Sequence, residues 1–433
     1  MPANWQQFGV NDLIDRRQLL IGDGYRAKNE ELANSGPPFA RASNINNGFR
    51  FNDADRFPER NLGRVGNKVS QPGDVVFTSK GTVGRFAFVR PDTPRFVYSP
   101  QLCFWRSLDT EVVDPRFLYY WMSGREFYHQ FTGVAGQTDM ADYVSLSDQR
   151  SMHITLPGIG EQRAIAHALG SLDDKIELNR RMNETLEGVA RAIFKSWFVD
   201  FDTVRAKLDG RESRLPLEIA NMFPDRLVES EIGEIPMGWG VVPLDKMGRF
   251  LNGLALQKFP PLDGRSLPVI KIAQLRSGSV HGADRASAEL DPDYIVEDGD
   301  LLFSWSGSLE CVFWAGGRGA LNQHLFKVTS QRYPLWLLYF GIHQHLEGFR
   351  QIAAGKATTM GHIQRHHLSE AKVASPSSGL LKVADGIFSP LVKSLWRRRL
   401  ESRTVANIRD ALLPKLLSGE ISVNAAREAA GAA

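Results

Sequence analysis

The chain carries two sets of polar and basic side chains that could contact nucleic acid. Both sets lie in loops after predicted strands. Lys, Arg and backbone N–H groups bind phosphates, while Arg, Lys, Asn and Gln can form paired hydrogen bonds with base edges. Any single one could equally be a solvated turn residue. The candidates are Arg41, Asn44, Asn46, Ser79, Lys80, Thr82, Arg85, Gln101, Gln137 and Thr138 in the first half, and Lys271, Gln274, Arg276, Ser304, Trp305, Ser306, Gln323, Lys356 and Thr358 in the second.

Motifs for catalysis are incomplete. The segment Ser35–Phe39 (SGPPF) approaches the Asn/Asp/Ser-Pro-Pro-aromatic loop of amino-methyltransferases, but Gly36 replaces the side chain that would hold the amino group. No FxGxG loop accompanies it, so a turn entering a strand is the simpler interpretation. Gly355-Lys356 is followed by Ala357 and lacks the upstream glycine of a phosphate-binding loop. We therefore expect no catalytic residues and no cofactor in this chain.

A metal site is also not expected. Six of the ten histidines lie between positions 324 and 367, but no HExxH motif or nearby cysteine accompanies them. Packing or phosphate-facing roles fit these histidines better. The six are His324, His343, His345, His362, His366 and His367.

Length and composition indicate a soluble protein of two or more domains. The chain has 433 residues, 42% hydrophobic and 23% charged, with a formal charge of +3 that is too small to prove a nucleic-acid partner. Cys103 and Cys311 lie far apart without a CxxC motif, which favours a reducing compartment. No signal pattern and no apolar run of about 18 residues is present, so a cytoplasmic location without membrane attachment is expected.

An internal repeat organises the candidate loops. Gly73–Thr78 (GDVVFT) matches Gly299–Ser304 (GDLLFS), and Pro115–Tyr120 (PRFLYY) matches Pro334–Tyr339 (PLWLLY). The matches keep their order, and the offset drifts slowly, as small insertions and deletions would produce. The sequence therefore predicts two similar modules of short strands and packed helices.

A long helix follows each module. In Glu161–Asp202, apolar residues and two asparagines recur at alternating spacings of four and three, which indicates a seam for a partner helix, and the helix would be roughly 60 Å long. Adding 219 gives the seam of the second helix, in which Pro390 predicts a kink or a helix start. The seams are Ile165, Leu169, Leu172, Ile176, Asn179, Asn183, Leu186, Ala190, Ile193 and Trp197, and Ala384, Phe388, Leu391, Leu395, Arg398, Ser402, Val405, Arg409, Leu412 and Leu416.

Two equivalent helices in one chain can pack antiparallel about a pseudo-two-fold axis. We expect the axis at the polar layer, with Asn179 and Asn183 near Ser402 and Arg398. Ile165 would then lie near Leu416, and Trp197 near Ala384. Buried asparagines at seam positions fix register and partner at some cost in stability.

The fold class expected is α+β, with two similar mixed α/β recognition domains separated by two long helices that form an antiparallel coiled coil. The expected division is residues 1–157 (first module), 158–202 (central helix), 203–238 (linker), 239–376 (second module), 377–422 (C-terminal helix) and 423–433 (loose tail).

The sequence resembles the specificity subunits of type I restriction-modification systems over essentially its whole length. Leu172–Asp202 and Arg409–Ile421 (RDALLPKLLSGEI) resemble the conserved helical regions of that family, and Gly73–Arg85 resembles a motif of its target-recognition domains. The resemblance implies a non-catalytic subunit that reads a bipartite, asymmetric double-stranded DNA site and docks two modification subunits through its coiled coil. S-adenosylmethionine would be bound by the modification subunits, and ATP with Mg²⁺ by the restriction subunits.

The second module departs from the family motif. Trp305 stands where the first module has Ser79, Ser306 where it has Lys80, and Glu310 where it has Gly84. The two modules should therefore read different sequences. Two other functions stay open from the residues alone: a two-headed coiled-coil scaffold without DNA specificity, and a stand-alone DNA methyltransferase.

Overall fold

The computed structural model describes residues 5–45, 48–80, 84–135, 144–261, 264–355 and 361–423. They form two compact units, one of residues 1–174 and 405–433 and the other of residues 175–404. Across these described ranges, no helix combines the length and the apolar character that crossing a membrane requires.

The first module is an α+β domain whose main sheet has the order β2-β7-β4-β5. The outer strands β1 and β8 pair antiparallel, whereas β3 and β6 pair in parallel. Its elements are β1 (Gln6–Gly9), α1 (Val10–Asp15), β2 (Leu19–Asp23), β3 (Ala33–Ala40), β4 (Val75–Thr78), β5 (Phe86–Phe88), β6 (Val97–Tyr98), β7 (Leu102–Ser107), α2 (Pro115–Met122), α3 (Arg125–Ala135), α4 (Leu146–Arg150) and β8 (His153–Leu156).

The next elements are the long helix α5 (Ile159–Phe198) and four short elements between it and the second module, namely α6 (Asp202–Leu208), α7 (Leu217–Ala220), β9 (Leu227–Val228) and β10 (Ile235–Pro236). The predicted linker is thus partly folded. Val204 and Phe223 lie in the apolar core that contains Trp239. The apolar residues of this segment are buried in that core, whereas those of a solvated linker would be exposed.

The second module repeats the architecture of the first. Its main sheet has the order β12-β19-β16-β17, β11 pairs with β20, and β13 pairs in parallel with β18. Its elements are β11 (Gly240–Pro243), α8 (Leu244–Met247), β12 (Arg249–Asn252), β13 (Ser266–Ile270), α9 (Ile272–Ser277), β14 (Arg285–Ser287), β15 (Ile295–Val296), β16 (Leu301–Ser304), β17 (Cys311–Phe313), β18 (Gly319–Leu321), β19 (Leu325–Thr329), α10 (Leu335–Ala354), α11 (Arg365–Glu370) and β20 (Lys372–Ser375).

Equivalent glycines show how closely the two modules correspond. A Cβ atom on Gly24 would lie 1.9 Å from the carbonyl oxygen of Ser99, and one on Gly253 would lie 2.3 Å from that of Asn322. Both glycines follow the first strand of the main sheet, where the chain passes directly over the turn before β7 or β19. The duplication predicted from the sequence is therefore present in the backbone itself.

The second long helix, α12, runs from Ser378 to Leu417. It begins close to the expected residue 377 and well before Pro390, so of the two expectations for that proline, a kink or a helix start, the helix start does not hold. Pro390 is exposed. The helix tolerates the missing N–H there because the flanking residues Phe388 and Val392 are buried and hold the backbone in place.

In the first unit, the beginning of α5 packs antiparallel against the end of α12. Asp173 of α5 accepts a hydrogen bond from Arg409 of α12 at 2.6 Å. Ile165, which precedes Asp173 in α5, shares an apolar core with Leu416, which follows Arg409 in α12. Arg409 interrupts the apolar seam because Asp173 provides a partly buried partner for its charge.

In the second unit, the rest of α5 packs antiparallel against the beginning of α12. Asn179 contacts Ser402, Asn183 contacts the carbonyl oxygen of Leu395, and the rings of Trp197 and Phe388 are 6.3 Å apart. Arg398 Nη1 donates to the sulphur of Met182, the residue before Asn183, at 3.3 Å. None of the predicted seam residues in either helix is exposed.

Candidate nucleic-acid interface

A Gly-Asp turn sets the start of the strand that leads to each candidate loop. Gly73 and Gly299 have φ values of +95° and +97°, which favour glycine. The following aspartate accepts a hydrogen bond from a backbone N–H at 2.8 Å, from Gln71 to Asp74 and from Glu297 to Asp300. The turn thus fixes where β4 and β16 begin and, four residues later, where their candidate loops emerge.

The first module gathers four candidates around one point. The Gln101 side-chain oxygen accepts from the Ala42 N–H at 3.1 Å, next to Arg41. Arg85 Nη1 lies 3.4 Å from the carbonyl oxygen of Ala42, and the Ser79 N–H donates to the carbonyl oxygen of Gln101 at 2.9 Å. Arg41, Arg85 and Gln101 are exposed. This cluster, which we call the first polar cluster, combines two guanidinium groups with one carboxamide.

Two candidates of the first module, Asn44 and Ser79, have structural roles. Asn44 is 8% exposed. It accepts from the Arg41 N–H at 2.8 Å and donates to the carbonyl oxygen of Arg50 at 2.9 Å. Ser79 is 1% exposed. These side chains hold the loop rather than project from it, while Lys80, one residue further on, is half-buried.

In the second module, Trp305 lies at the centre of a different cluster. Its indole N–H donates to Asn252 Oδ1 at 2.8 Å and to the carbonyl oxygen of Gln323 at 3.0 Å. The Trp305 ring packs against His324 and His362, with ring centroids 5.7 and 6.1 Å apart. We call Asn252, Trp305, Ser306, Gln323, His324 and His362 the second polar cluster.

The serines of this region are buried. Ser304 is 0% and Ser306 2% exposed. Ser304 donates to the carbonyl oxygen of Ser308 at 2.7 Å, and Ser306 Oγ lies 2.9 Å from His324 Nδ1. Both hydroxyls are therefore occupied by internal partners.

The remaining candidates of the second module lie on or beside α9. Lys271 forms an ion pair with Asp284, and its N–H donates to the side chain of Gln274 at 3.2 Å. Lys271 and Arg276 are exposed. Six candidates fall outside the described residues: Asn46, Thr82, Gln137, Thr138, Lys356 and Thr358.

His324 is not among the DNA-contact candidates predicted from the sequence, although the structure places it at an equivalent position to Gln101. Its carbonyl oxygen accepts from the Trp305 N–H at 3.3 Å, as the carbonyl oxygen of Gln101 accepts from the Ser79 N–H. The strand registers pair Thr78 with Leu102 and Ser304 with Leu325. His324 is thus the counterpart of Gln101. The sequence contains this signal, because each residue immediately precedes the equivalent leucine.

Two further histidines have partners in the protein backbone. His343 Nε2 lies 3.0 Å from the carbonyl oxygen of Cys311, and His345 Nε2 lies 2.9 Å from that of Lys372. Burial raises the pKa of both thiols, Cys103 and Cys311, which keeps them protonated and poorly nucleophilic.

On α11, the ligand atoms of His366, His367 and Glu370 lie within 4.8 Å of one another. His367 Nδ1 already accepts from the Gln364 N–H at 2.9 Å. This side chain closes the capping box at the start of α11. His367 therefore has a structural role of its own.

Comparisons with known proteins agree with this architecture. A sequence-family model described as a type I restriction modification DNA specificity domain matches residues 2–188. The chain is 25% identical to the type I restriction enzyme HindI specificity subunit of Haemophilus influenzae, over 97% of this chain and 100% of that protein. It is 22% identical to the MjaIX specificity subunit of Methanocaldococcus jannaschii, over 82% and 79% of the two chains.

The fold is also that of a solved structure. The crystal structure of a type I restriction-modification S subunit from M. genitalium covers 96% of each chain with a TM-score of 0.52 and 15% identity. The likeness extends over both modules and both long helices, as does that to the Haemophilus influenzae protein. The chain is therefore similar in sequence and in fold to type I restriction-modification specificity subunits.

Proposed function

We propose that this chain is the DNA-recognition subunit of a type I restriction-modification complex and has no catalytic activity of its own. Each module would contact one half of a bipartite, asymmetric double-stranded DNA site. One observation carries the proposal. The same module occurs twice, and polar side chains gather at equivalent strand ends but differ in type.

The first polar cluster suits DNA because it combines charge with hydrogen-bonding capacity. Arg85 supplies positive charge beside the Gln101 carboxamide, while the charge of Arg41 is paired with that of Asp55. Phosphate contacts provide most of the affinity, whereas carboxamides and guanidinium groups distinguish bases. The second polar cluster has fewer cations, so its recognition would depend less on phosphate neutralisation.

The paired long helices would bind two modification subunits. Leu178 and Val189 of α5 are 52% and 47% exposed. They are three helical turns apart and therefore lie on one face. Exposed apolar side chains on one helical stripe suit a partner helix better than solvent. In the assembled complex, S-adenosylmethionine would be held by the modification subunits, and ATP with Mg²⁺ by the restriction subunits.

Binding measurements at two salt concentrations test this function. The chain is assembled with its modification subunits, and its affinity for random duplex DNA is compared with that for a library of split sites. A recognition subunit should select a bipartite sequence and lose affinity as salt rises. A two-headed scaffold should show no sequence preference and little salt dependence.

The methyltransferase alternative needs a separate assay. The chain alone, and the chain with modification subunits, are incubated with DNA and labelled S-adenosylmethionine. Methyl transfer only by the complex agrees with the proposal, whereas transfer by the chain alone would contradict it.

A further inference from the structure

The corresponding turns before β7 and β19 hold different side chains in the two modules. In the first, the Leu102 N–H closes the turn on the carbonyl oxygen of Ser99 at 2.9 Å. In the second, the Leu325 N–H closes it on that of Asn322 at 3.0 Å. The third residue of each turn is Gln101 or His324. The same backbone position thus offers a carboxamide in one module and an imidazole in the other.

Most polar side chains next to this position already have hydrogen-bond partners within the protein. In the second module, Ser306 is buried and pairs with His324, while the Trp305 indole N–H is shared between Asn252 and Gln323. In the first, the Ser79 hydroxyl is directed to the carbonyl oxygen of Gln101 at 3.4 Å. Gln101 therefore retains hydrogen-bonding capacity that the adjacent loop residues have used internally, whereas His324 Nε2 has only a long contact with the Gln323 amide at 3.4 Å.

Gln101 keeps its amide nitrogen for an external acceptor. Its oxygen accepts from the Ala42 N–H but has a second lone pair, and no hydrogen bond from its nitrogen is formed within the described residues. An exposed carboxamide with both functions can pair with N6 and N7 of adenine in the major groove. Arg85 beside it is placed to bind a flanking phosphate, whereas the Arg41 guanidinium forms an ion pair with Asp55 at 2.6 Å.

His324 is held rigidly on two sides. The Trp305 ring lies 5.7 Å from the imidazole at an interplanar angle of 39°, and Ser306 binds Nδ1. The other ring nitrogen, Nε2, lies 3.4 Å from the amide nitrogen of Gln323. Exchange of this long contact for a base would give the fixed imidazole one directed hydrogen bond, which cannot reproduce the paired contact of a carboxamide.

We propose that Gln101 and His324 are corresponding base-reading residues, one for each half-site, and that Trp305 is a positioning residue for His324. This inference rests on the proposed function, because it assigns the turn position that distinguishes the two half-sites. The ligand is the edge of one base pair in each half-site: an A·T pair for Gln101 and a pair read through a single hydrogen bond for His324.

Reciprocal substitutions test the assignment. Gln101→His and His324→Gln are made in the full chain, assembled with the modification subunits, and bound DNA is selected from a random split-site library. His324→Gln should introduce a preference for A·T at one position of the second half-site only. Gln101→His should lower discrimination at one position of the first half-site only. Each change should be at least about fivefold in relative base preference.

The matched controls are Gln71→His and His366→Gln, the same changes at exposed positions of the same modules. Both should keep the wild-type base preferences. Trp305→Phe keeps a ring but removes the indole N–H, so it should weaken discrimination at the position that His324→Gln alters. If a reciprocal variant does not assemble, Gln101→Met and His324→Asn replace it.

The outcomes separate this inference from the proposed function. Unchanged base preferences in an assembled variant would overturn the assignment while leaving bipartite recognition intact. An equal loss of affinity for every sequence would also overturn it, since that result indicates a structural or phosphate contact. Absence of any sequence preference in the wild-type complex would instead refute the proposed function.

Discussion

Asn179 of α5 donates a hydrogen bond to Ser402 Oγ of α12 at 3.3 Å and another to Glu401 at 2.9 Å. Asn183, one turn later, donates to the carbonyl oxygen of Leu395 at 3.2 Å. The Oδ1 atoms of both asparagines are buried without a partner among the described residues. The side-chain nitrogens of the two asparagines thus fix the register of the helix pair, while their unpaired oxygens lower its stability.

Asn183→Leu should therefore stabilise the helix pair. Removing an unpaired buried acceptor outweighs the loss of one neutral hydrogen bond, and the expected gain is about 1 kcal/mol. Thermal unfolding should show a raised midpoint, and size-exclusion chromatography should show more self-association because register is less specific. Asn221→Leu, at an exposed position, is the control. A lowered midpoint for Asn183→Leu would contradict the interpretation.

The two Gly-Asp turns should differ in their sensitivity to mutation. Asp74 is fully buried and accepts hydrogen bonds from Arg106 at 2.5 Å and from the Tyr98 hydroxyl at 2.5 Å. Asp300 pairs with Lys327 at 2.9 Å, and the two side chains are 24% and 15% exposed. Asp74→Asn leaves a buried guanidinium without its counter-charge.

We expect Asp74→Asn to cost about 3–5 kcal/mol and Asp300→Asn only about 1–2 kcal/mol. Hydrogen exchange in urea, followed separately in each module, measures the two losses. Equal losses would mean that burial of the first pair does not determine its contribution.

His343 should make stability depend on pH. Burial, and then the nearby Arg191 guanidinium, lower the pKa of His343 to about 4. Its Nε2 donates to the carbonyl oxygen of Cys311, and its Nδ1 accepts from Arg191 at 3.2 Å. A proton on Nδ1 would face that positive charge.

The pKa of His343 is lower in the folded protein than in the unfolded chain, where it is about 6.5. The contribution of the neutral imidazole to the free energy of unfolding is therefore complete above pH 6.5. It falls as the pH is lowered and is lost near pH 4, a total of about 3 kcal/mol. Thermal midpoints between pH 7 and pH 4 should fall less steeply for His343→Gln than for the wild type. His167→Gln, at an exposed position, should keep the wild-type slope.

Lys80→Ala should weaken DNA binding if the loop after β4 faces the duplex. Loss of one phosphate contact would reduce affinity for all sequences alike and lower the slope of log K against log salt by about 1. Fluorescence anisotropy at several salt concentrations measures both quantities. Lys382→Ala, at an exposed position on α12, is the comparison. Unchanged affinity at moderate salt would remove Lys80 from the interface.

The repeat and the helical seams could be predicted from the sequence because their signals are periodic. The spacing from Ile165 to Trp197 follows from helical geometry alone, and the matching Gly-Asp turns mark the same strand start twice. Segment 203–238 was harder to interpret. Its prolines suggest a linker, while the burial of Phe223 depends on partners distant in sequence.

The sequence by itself determined the duplication, the long helices and their polar layer, because residue type and spacing along one chain suffice for these. Only the tertiary structure decided which loop residues remain available. Residue type cannot distinguish exposed Gln101 from buried Ser79, since burial depends on the strands packed around them. Nor does residue type alone select His324: it and Gln101 each precede an equivalent leucine in the sequence, but the role of that position is expressed in backbone hydrogen bonds between segments far apart in the chain.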